Sequence, residues 1–414
     1  KKKRAATVGP IKAKPVESVI PEPAPRGISD RTWFIAAAAI LIVAALLRLY
    51  DLDLVPLHHD EGVNGNFLIR LVREGTYRYD PQNYHGPTIY YLAAFFPWVI
   101  RFFFGTAAQD KYGLNTITIR LVPALFGWAT VWLVFLLRRH LGSIGTLAAA
   151  ALLAVSPGAV YLSRYFIHET LFVFFTFGLV AAALRYYEDA HPVYLILASI
   201  CAAMMFATKE TAIISLGVLL IALAVTFVYR RLRRASVRDR DGKKRPRTSG
   251  KEGITRLIDR LGGPLKVFTW VIVAFSTFVI LNVLFYSSFF KNYPEGVFDA
   301  VRTFQFWAKT GKAAHVHPLA QYVYWLIRQE SPILFLATIG AAMVVWKPRN
   351  SLALYIALWG FGILAAYSLI SYKTPWLGLN FIVPLALIAG YALQMIWEEA
   401  LGQLRLIAGV LVVA

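Results

Sequence analysis

The sequence is poor in charged residues and almost free of cysteine. Only 16% of its 414 residues are charged, whereas about 25% is usual in a soluble domain. Its single cysteine, Cys201, excludes an intrachain disulfide and a metal site built from thiolates. No internal repeat of 20 to 50 residues is visible, which argues against a repeat array. What is abundant is apolar surface, since 58% of the residues are hydrophobic.

The apolar residues are gathered into runs close to the ~20 residues that a helix needs to cross a bilayer. We therefore predict an all-α, polytopic transmembrane bundle of about 11 spans, formed by residues 32–414. The predicted spans are 32–49, 118–138, 143–161, 170–187, 193–208, 211–229, 266–286, 330–346, 351–371, 378–397 and one that begins near 403. The chain ends inside an apolar run, which indicates truncation at the C-terminus.

The net charge of +20 is unevenly distributed along the chain. Residues 1–31 carry eight Lys or Arg against three acids, and residues 230–266 carry fourteen against four. Neither segment has interleaved aromatics, so nucleic acid is not an expected partner. The positive-inside rule instead predicts a disordered, Pro-rich cytoplasmic tail at 1–31 and a basic cytoplasmic loop at 230–265.

Residues 88–104 are apolar but short, and Pro97 and Arg101 interrupt them. If this segment crossed the membrane, the basic loop would fall outside the cell. We therefore predict that it lies in the membrane interface. The outer face then holds 50–117, with interfacial helices, and 287–329. Six histidines share that face: His58, His59, His85, His168, His315 and His317.

Asp60 and Glu61 follow the first span within the segment PLHHDEG. Carboxylates beside apolar surface are costly unless they are bonded or functional. A partly desolvated carboxylate has a raised pKa and can remove a proton from a hydroxyl. The plain alternative is two solvated loop carboxylates.

Two further outer turns carry ionisable groups. The segment SRYFIHE contains Arg164, Tyr165, His168 and Glu169, and the segment TKE contains Lys209 and Glu210. Each has a structural reading, namely interface anchoring for the first and a salt-bridged hairpin tip for the second. Each also has a functional reading in which these side chains contact a substrate.

Cationic side chains at the outer ends of the spans are suited to a phosphate. His85 lies in NYHGP and Lys373 in SYKTPW. With Arg164 and Lys209 they are candidates for a cationic pocket, although Lys373 could equally snorkel to the headgroups. A divalent metal such as Mg, Mn, Zn or Fe could be held by carboxylates with His58, His59 and His168, but no HxxxH spacing supports it.

In order and spacing, several motifs resemble the GT-C glycosyltransferases that use polyprenyl-phosphate sugars. The family includes the protein O-mannosyltransferases and the aminoarabinose transferases. The motifs are HHDEGVNGNF, YRYDPQNYHGPTIYYL, RLVPALFG, SPGAVYLSRYFIHE, FATKE and YKTPW, spread over about residues 45–380. They are most similar to a prokaryotic subfamily labelled flippase-activity-associated proteins.

The resemblance implies a catalytic acid at Asp60, with Glu61 as its neighbour. It implies a second acid at Glu169, where many relatives have Asp. Aminoarabinose transferases have a Lys-Pro-Pro segment that contacts phosphate, whereas this chain has His85, Gly86 and Pro87. His85 is therefore a candidate substitute for that lysine.

The function predicted from these residues is an inverting glycosyltransferase that moves a sugar from a polyprenyl-phosphate donor to a hydroxyl on the outer face. Arg164, Lys209, Lys373 and His85 would bind the donor phosphate, and the residues expected to contact substrate are His59, Tyr165, His168 and Glu210. The protein would lie in the cell membrane, with membrane lipid and possible complex subunits as partners. The alternative is a non-catalytic membrane subunit that binds or helps translocate lipid-linked sugars.

Overall fold

A computed structural model describes residues 28–82, 85–105, 113–240, 255, 258–310, 316–346 and 350–413, and within these ranges it has helices but no strand. The named helices are α1 (Asp30–Leu49), α2 (His59–Glu74), α3 (Thr88–Phe104), α4 (Thr116–Val134), α5 (Ser143–Val155), α6 (Pro157–Ser163), α7 (Glu169–Asp189), α8 (Pro192–Thr208), α9 (Ala212–Arg240), α10 (Pro264–Tyr286), α11 (Glu295–Thr310), α12 (Gln321–Gln329), α13 (Ser331–Trp346), α14 (Ser351–Leu369) and α15 (Leu379–Val413). A 3₁₀ turn at Phe135–Leu137 and a last turn at Arg138–Leu141 extend α4, and another 3₁₀ turn, Pro375–Gly378, precedes α15.

Seven of the described helical segments are long and apolar enough to cross a membrane, and nine are if each of two bent pairs counts as one span. The apolar helix α8 is slightly shorter. The predicted all-α, polytopic class is therefore confirmed. The separate span predicted near residue 403 is wrong, because α15 runs through that position without a break. Similarly, α9 continues as helix past the predicted boundary at 229.

The two bent pairs are broken at polar residues. Helices α5 and α6 meet at 59° around Ser156, whose hydroxyl accepts from Ala159 N, and Pro157 begins α6. Helices α12 and α13 meet at 112° around Glu330. Proline has no N–H and starts a helix more readily than it continues one. Both bends leave a polar side chain at a helix junction.

Helix α15 is the packing centre of the bundle, with 83% of its span buried, and it lies against α5, α13 and α14. It crosses α5 closely at Gly390, where a Cβ would lie 2.2 Å from Gly145 O. Small residues at such crossings let membrane helices approach backbone to backbone. Helix α10, in contrast, has no buried residue and lies at the periphery.

The connecting segments separate into two ends of the bundle. At one end, Arg138 pairs with Asp30. At the other end, Asn64 donates to Phe166 O, and His85 forms an antiparallel bridge with Lys209. We call this second end the site end, since it brings together the segments that the sequence placed on the outer face.

The end of α1 and the start of α4 lie at the same end of the bundle. Helix α1 ends at the site end, where Arg164 contacts Tyr50 O, and α4 begins there, where Arg120 contacts Leu52 O. Between them, α2 and α3 pack on each other. Gly113 returns to within contact of Pro97 in α3.

Candidate active site

The start of α2 is organised by a reciprocal cap. His58 Nδ1 accepts from Asp60 N at 3.3 Å, and Glu61 Oε2 accepts from His58 N at 3.0 Å. This is a capping box, in which two of the free N–H groups at a helix start gain partners. Two acids in the first turn also complement the positive end of the helix dipole. The HHDE segment is thus held in a defined conformation.

Glu61 is fully buried and bonded through both oxygens. Arg120 Nε donates to Oε1 at 2.8 Å and Nη2 donates to Oε2 at 2.6 Å, while Phe166 N also donates to Oε1 at 2.9 Å. The bidentate geometry is the strongest form of this pair. Because each oxygen already accepts two hydrogen bonds, Glu61 is arranged to hold neighbouring segments together.

Arg120 extends this arrangement to the loop before α2. Its Nη1 donates to Leu52 O at 2.7 Å and Val55 O at 2.8 Å, and its Nη2 donates to Pro56 O at 3.2 Å. We call Glu61, Arg120 and these three carbonyls the clamp. The clamp sets the position of the residues that lead into Asp60.

Asp60 differs from its neighbour in being half-buried, and the carboxylate takes part in no hydrogen bond or ion pair among the described residues. The adjacent His59 is exposed. Asp60 is the first of the carboxylates that raise the pKa of Tyr165, after the larger effect of burial, and Glu169 contributes as well. Glu61 has the same effect, so the negative charge of all three acids acts on the Tyr165 phenol.

An ionic cluster lies beside His168. It consists of Glu169 at the start of α7, Lys209 at the end of α8, Glu210 and His85. Lys209 Nζ donates to Glu169 Oε1, and His85 Nδ1 lies 3.1 Å from Glu210 Oε2. Burial would lower the pKa of Lys209, but Glu169 and Glu210 outweigh it and raise that pKa overall. Lys209 is therefore charged and its charge is compensated.

His85 reaches this cluster because Gly86 lies directly against the end of α8. Gly86 N donates to Thr208 O at 3.0 Å, and a Cβ at this position would lie 2.0 Å from Ala207 O. Only glycine allows two backbones to approach this closely. The His85-Gly86-Pro87 segment thus joins the chain before α3 to Lys209 at the end of α8.

His168 is buried between the cluster and α3. Its Nε2 lies 3.1 Å from Gly86 O, so Nε2 carries the proton and donates it. Burial lowers the pKa of His168 well below its ordinary value, and electrostatic interactions with His85 and Lys209 lower it further. His168 is therefore neutral and positions the HGP turn.

Two of the predicted phosphate ligands contact neutral backbone carbonyls. Arg164 Nη1 donates to Leu47 O at 3.2 Å and Tyr50 O at 2.5 Å, and Nη2 donates to Asp51 O at 2.6 Å, which caps the end of α1. Lys373 is buried, and its Nζ donates to Ile370 O at 2.5 Å and His317 O at 3.3 Å. Within the described part of the chain, neither cation is paired with a carboxylate.

A cavity of about 240 Å³ opens between the start of α2, helices α6 and α12, and the turn before α15. Its walls include Glu330 and His58, and six aromatic side chains: Tyr161, Tyr165, Tyr322, Trp325, Trp376 and Phe381. His58 and Tyr165 are in edge contact at 5.2 Å between ring centroids. We call this cavity the aromatic pocket. It lies between the residues that precede Asp60 and the segment that follows Lys373.

Most of the residues that the sequence singled out converge at the site end. Tyr165 lines the aromatic pocket, and Arg164 precedes it in the chain. Asp60 is two residues from the lining residue His58, and Lys373 is two residues from the lining residue Pro375. Glu169, Lys209, Glu210, His85 and His168 form the neighbouring polar layer. His59 is the exception, since it is exposed at the edge.

Two charged residues of this site were not singled out from the sequence, namely Arg120, which binds Glu61, and Glu330, which lines the aromatic pocket. Arg120 was passed over inside an apolar run, although a lone arginine within a span is expensive and therefore informative. Glu330 lies at the edge of a predicted span, where an acidic residue carries no distinctive signal. Both become recognisable once their partners in distant segments are known.

In the described residues, no three His, Cys, Asp or Glu side chains lie close enough together to form a metal site. His58, His59 and His168 are separated, because His58 caps α2, His59 faces outward and His168 is buried against Gly86. A role for Mg or Mn stays a prediction, which activity measured with and without EDTA would test.

Comparison with known proteins gives a partial match to one family model and several matches to solved structures. A family model described as dolichyl-phosphate-mannose-protein mannosyltransferase matches residues 93–238. No curated protein sequence matches the chain. ArnT from Cupriavidus metallidurans, solved with bound undecaprenyl phosphate, is similar over 92% of this chain and 64% of its own, with 17% identity and a TM-score of 0.62.

The oligosaccharyltransferase of Archaeoglobus fulgidus is similar in its apo form, with 12% identity and a TM-score of 0.58 over 92% of this chain and 52% of its own. Archaeal AglB from the same organism, in complex with an inhibitory peptide and a dolichol-phosphate, gives 13% identity and a TM-score of 0.58 over the same shares. The chain thus spans about two thirds of the ArnT structure and half of the archaeal ones.

At these identities the structural similarity establishes the fold. The chain has the GT-C fold of these membrane enzymes, and the resemblance to the superfamily seen in the sequence is confirmed. The multi-pass membrane character agrees with this fold. The resemblance to the flippase-activity-associated subfamily stays a prediction.

Proposed function

We propose that the protein is an inverting glycosyltransferase that moves a sugar from a polyprenyl-phosphate donor to a hydroxyl acceptor at the extracytoplasmic face of the cell membrane. The observation that carries the proposal is the contrast between two adjacent acids. Glu61 is saturated with hydrogen bonds, whereas Asp60 keeps a half-buried carboxylate without a hydrogen bond among the described residues, two residues after His58, which lines the aromatic pocket.

Asp60 acts as the general base. Its carboxylate takes the proton of the acceptor hydroxyl as the acceptor oxygen attacks the anomeric carbon of the donor sugar. The bond between that carbon and the phosphate oxygen breaks, and its electron pair leaves with the lipid phosphate. A base placed within hydrogen-bond reach of the proton contributes ~10²–10⁴-fold to the rate.

Arg164 and Lys373 stabilise the departing phosphate. Both are held by neutral carbonyls, so their positive charge is uncompensated by the described carboxylates. A fixed cation aimed at charge that grows during the reaction favours the transition state over the ground state. Lys209 is less suited to this role because Glu169 already neutralises it. His85 is tied to Glu210 and supports the position of this layer.

The polyprenyl-phosphate class of donor is supported by the family model, whose description names a dolichyl-phosphate mannose, and by the undecaprenyl phosphate in the similar ArnT structure. The proposed orientation places the N-terminus in the cytoplasm and the site end outside. Membrane lipid surrounds the apolar helices, and further membrane subunits are possible partners through exposed helices such as α10.

The test compares Asp60→Asn with the parent protein, purified in detergent and supplied with radiolabelled undecaprenyl-phosphate mannose and a panel of hydroxyl acceptors. We expect transfer to fall by ~10²–10⁴-fold, because the amide cannot take the proton, while the melting temperature is unchanged. Asp53→Asn is the matched control, since Asp53 is an exposed acid of the same loop.

Transfer by the Asp60→Asn protein at the parental rate would refute the catalytic role. If that variant instead altered the distribution of the lipid donor across reconstituted vesicles, with no transfer by either protein, the alternative of a non-catalytic subunit that binds or translocates lipid-linked sugars would hold.

A further inference from the structure

Glu330 is a buried acid that the proposed mechanism does not use. It is 3% exposed and lies at the 112° bend between α12 and α13. Its Oε1 accepts from Ser156 Oγ at 2.6 Å and from Gly158 N at 2.8 Å, both at the start of α6. In the described residues, every hydrogen bond of this carboxylate goes to Oε1.

Capping α6 does not account for a carboxylate at this position. One neutral oxygen is enough to accept the two hydrogen bonds, whereas a buried charge is costly unless it is paired or its second oxygen finds a donor. No described cation pairs with Glu330. Since Glu330 lines the aromatic pocket, a ligand in that pocket can supply the donor to Oε2.

The walls of the pocket define the chemistry of that ligand. Tyr161 and Tyr165 are stacked at 22° with ring centroids 6.1 Å apart, and Tyr322 meets Trp325 edge to face at 5.5 Å. Trp376 adds a further aromatic surface. Aromatic faces favour the C–H side of a sugar ring, and the carboxylate accepts from its hydroxyls. An isoprenoid chain has no donor for Oε2 and would leave the charge unpaired.

The size of the pocket fits a single ring. About 240 Å³ is below the ~300–1,000 Å³ that is usual for pockets of drug-sized ligands. His58, which caps α2 two residues before Asp60, forms part of the same wall. A sugar in the pocket would therefore lie beside the proposed base.

We infer that the aromatic pocket is a sugar-ring subsite in which Glu330 accepts a hydrogen bond from a ring hydroxyl and so determines specificity. The inference builds on the proposed function and names the substrate class that the site takes. The ring could belong to the lipid donor or to a sugar acceptor, because both present the same hydroxylated surface.

The test is a binding measurement that needs no turnover. The affinities of the purified protein for undecaprenyl phosphate and for undecaprenyl-phosphate mannose are measured by tryptophan fluorescence, for the parent, for Glu330→Gln and for the control Glu399→Gln, an exposed acid of α15. Glutamine keeps an acceptor for Ser156 and Gly158, so the cap of α6 is retained.

If the ring is that of the donor, Glu330→Gln weakens binding of the mannosyl lipid by roughly 10- to 100-fold and leaves the bare lipid phosphate unchanged. If the ring is that of the acceptor, both lipid affinities are parental, and the KM for a glycosidic acceptor rises by a similar factor. Either result supports the subsite.

Equal weakening of both lipids would assign the pocket to the isoprenoid chain, and parental lipid affinities with a parental acceptor KM would remove Glu330 from recognition altogether.

Trp376→Leu is the second variant, since it keeps apolar volume but removes the aromatic face. It should weaken the same step that Glu330→Gln weakens, either binding of the mannosyl lipid or the KM for the glycosidic acceptor. The lipid-binding measurement does not depend on Asp60. The effect of Asp60→Asn on transfer therefore tests the proposed function without testing the sugar subsite.

Discussion

The ionic cluster and the aromatic pocket are neighbouring regions that treat buried charge in opposite ways. In the cluster, Lys209 is paired with Glu169, and His85 Nδ1 contacts Glu210, so each carboxylate has a partner inside the protein. In the pocket wall, Glu330 has an oxygen without a hydrogen bond among the described residues. Arg164 and Lys373, which are close in the chain to the lining residues Tyr165 and Pro375, contact only neutral carbonyls among the described residues. Balanced charge maintains structure, whereas unbalanced charge is available to a ligand.

The three acids that the sequence presents as equivalent candidates, Asp60, Glu61 and Glu169, differ in the structure. Glu61 and Glu169 resemble each other in being neutralised by Arg120 and Lys209. Asp60 differs from both, because it is neither paired among the described residues nor fully buried. We therefore expect variants of the cluster to lose stability first and variants of the pocket to lose function first.

The largest of the stability effects is expected from Lys209→Met. Removing one partner of a buried ion pair leaves the other charge uncompensated and costs ~3–5 kcal/mol. The melting temperature in detergent should fall strongly, and the double variant Lys209→Met with Glu169→Gln should recover part of the loss. A single variant as stable as the parent would contradict the view that this pair is structural.

A smaller effect with the opposite character is expected from Lys373→Met. Loss of a fixed cation that faces the leaving phosphate should lower kcat by roughly 10- to 100-fold. The melting temperature should be equal or higher, because a buried charge without a counter-ion is removed. Transfer kinetics and thermal unfolding of the same preparation check both parts, with exposed Lys291→Met as control. A large loss of stability would place Lys373 with the structural group.

The smallest effect concerns the dependence of stability on pH. The pKa of His168 lies well below its ordinary value of 6.5 in the folded protein. Below pH 6.5 the unfolded chain therefore binds a proton that the folded chain does not. Stability should fall by up to ~1.4 kcal/mol per pH unit as pH decreases through that window.

The variant His168→Gln, which keeps a donor for Gly86 O, should flatten this dependence between pH 7 and pH 5. Melting temperatures recorded across that range provide the measurement, and His191→Gln is the exposed control. A slope identical to that of the parent would show that other groups dominate the acid response.

Much of the fold followed from local patterns. Apolar runs of nearly membrane length predicted the helices, and the uneven distribution of charge predicted which connections share an end of the bundle. The bends at Ser156 and Glu330 and the continuous helix α15 were missed, because hydropathy measures length and polarity without direction. Helix ends also depend on caps, such as the interaction of Glu330 with Gly158, that join residues far apart in the chain.

The sequence by itself determined that this is a helical membrane protein with acids, histidines and cations gathered at one end, since burial of apolar helices and the sidedness of basic loops depend on composition. Only the tertiary structure decided which charges are neutralised by a partner. Pairing of Glu61 with Arg120 and of Glu169 with Lys209 spans 59 and 40 residues, and charge compensation acts over a few ångströms in space, a distance that spacing along the chain does not encode.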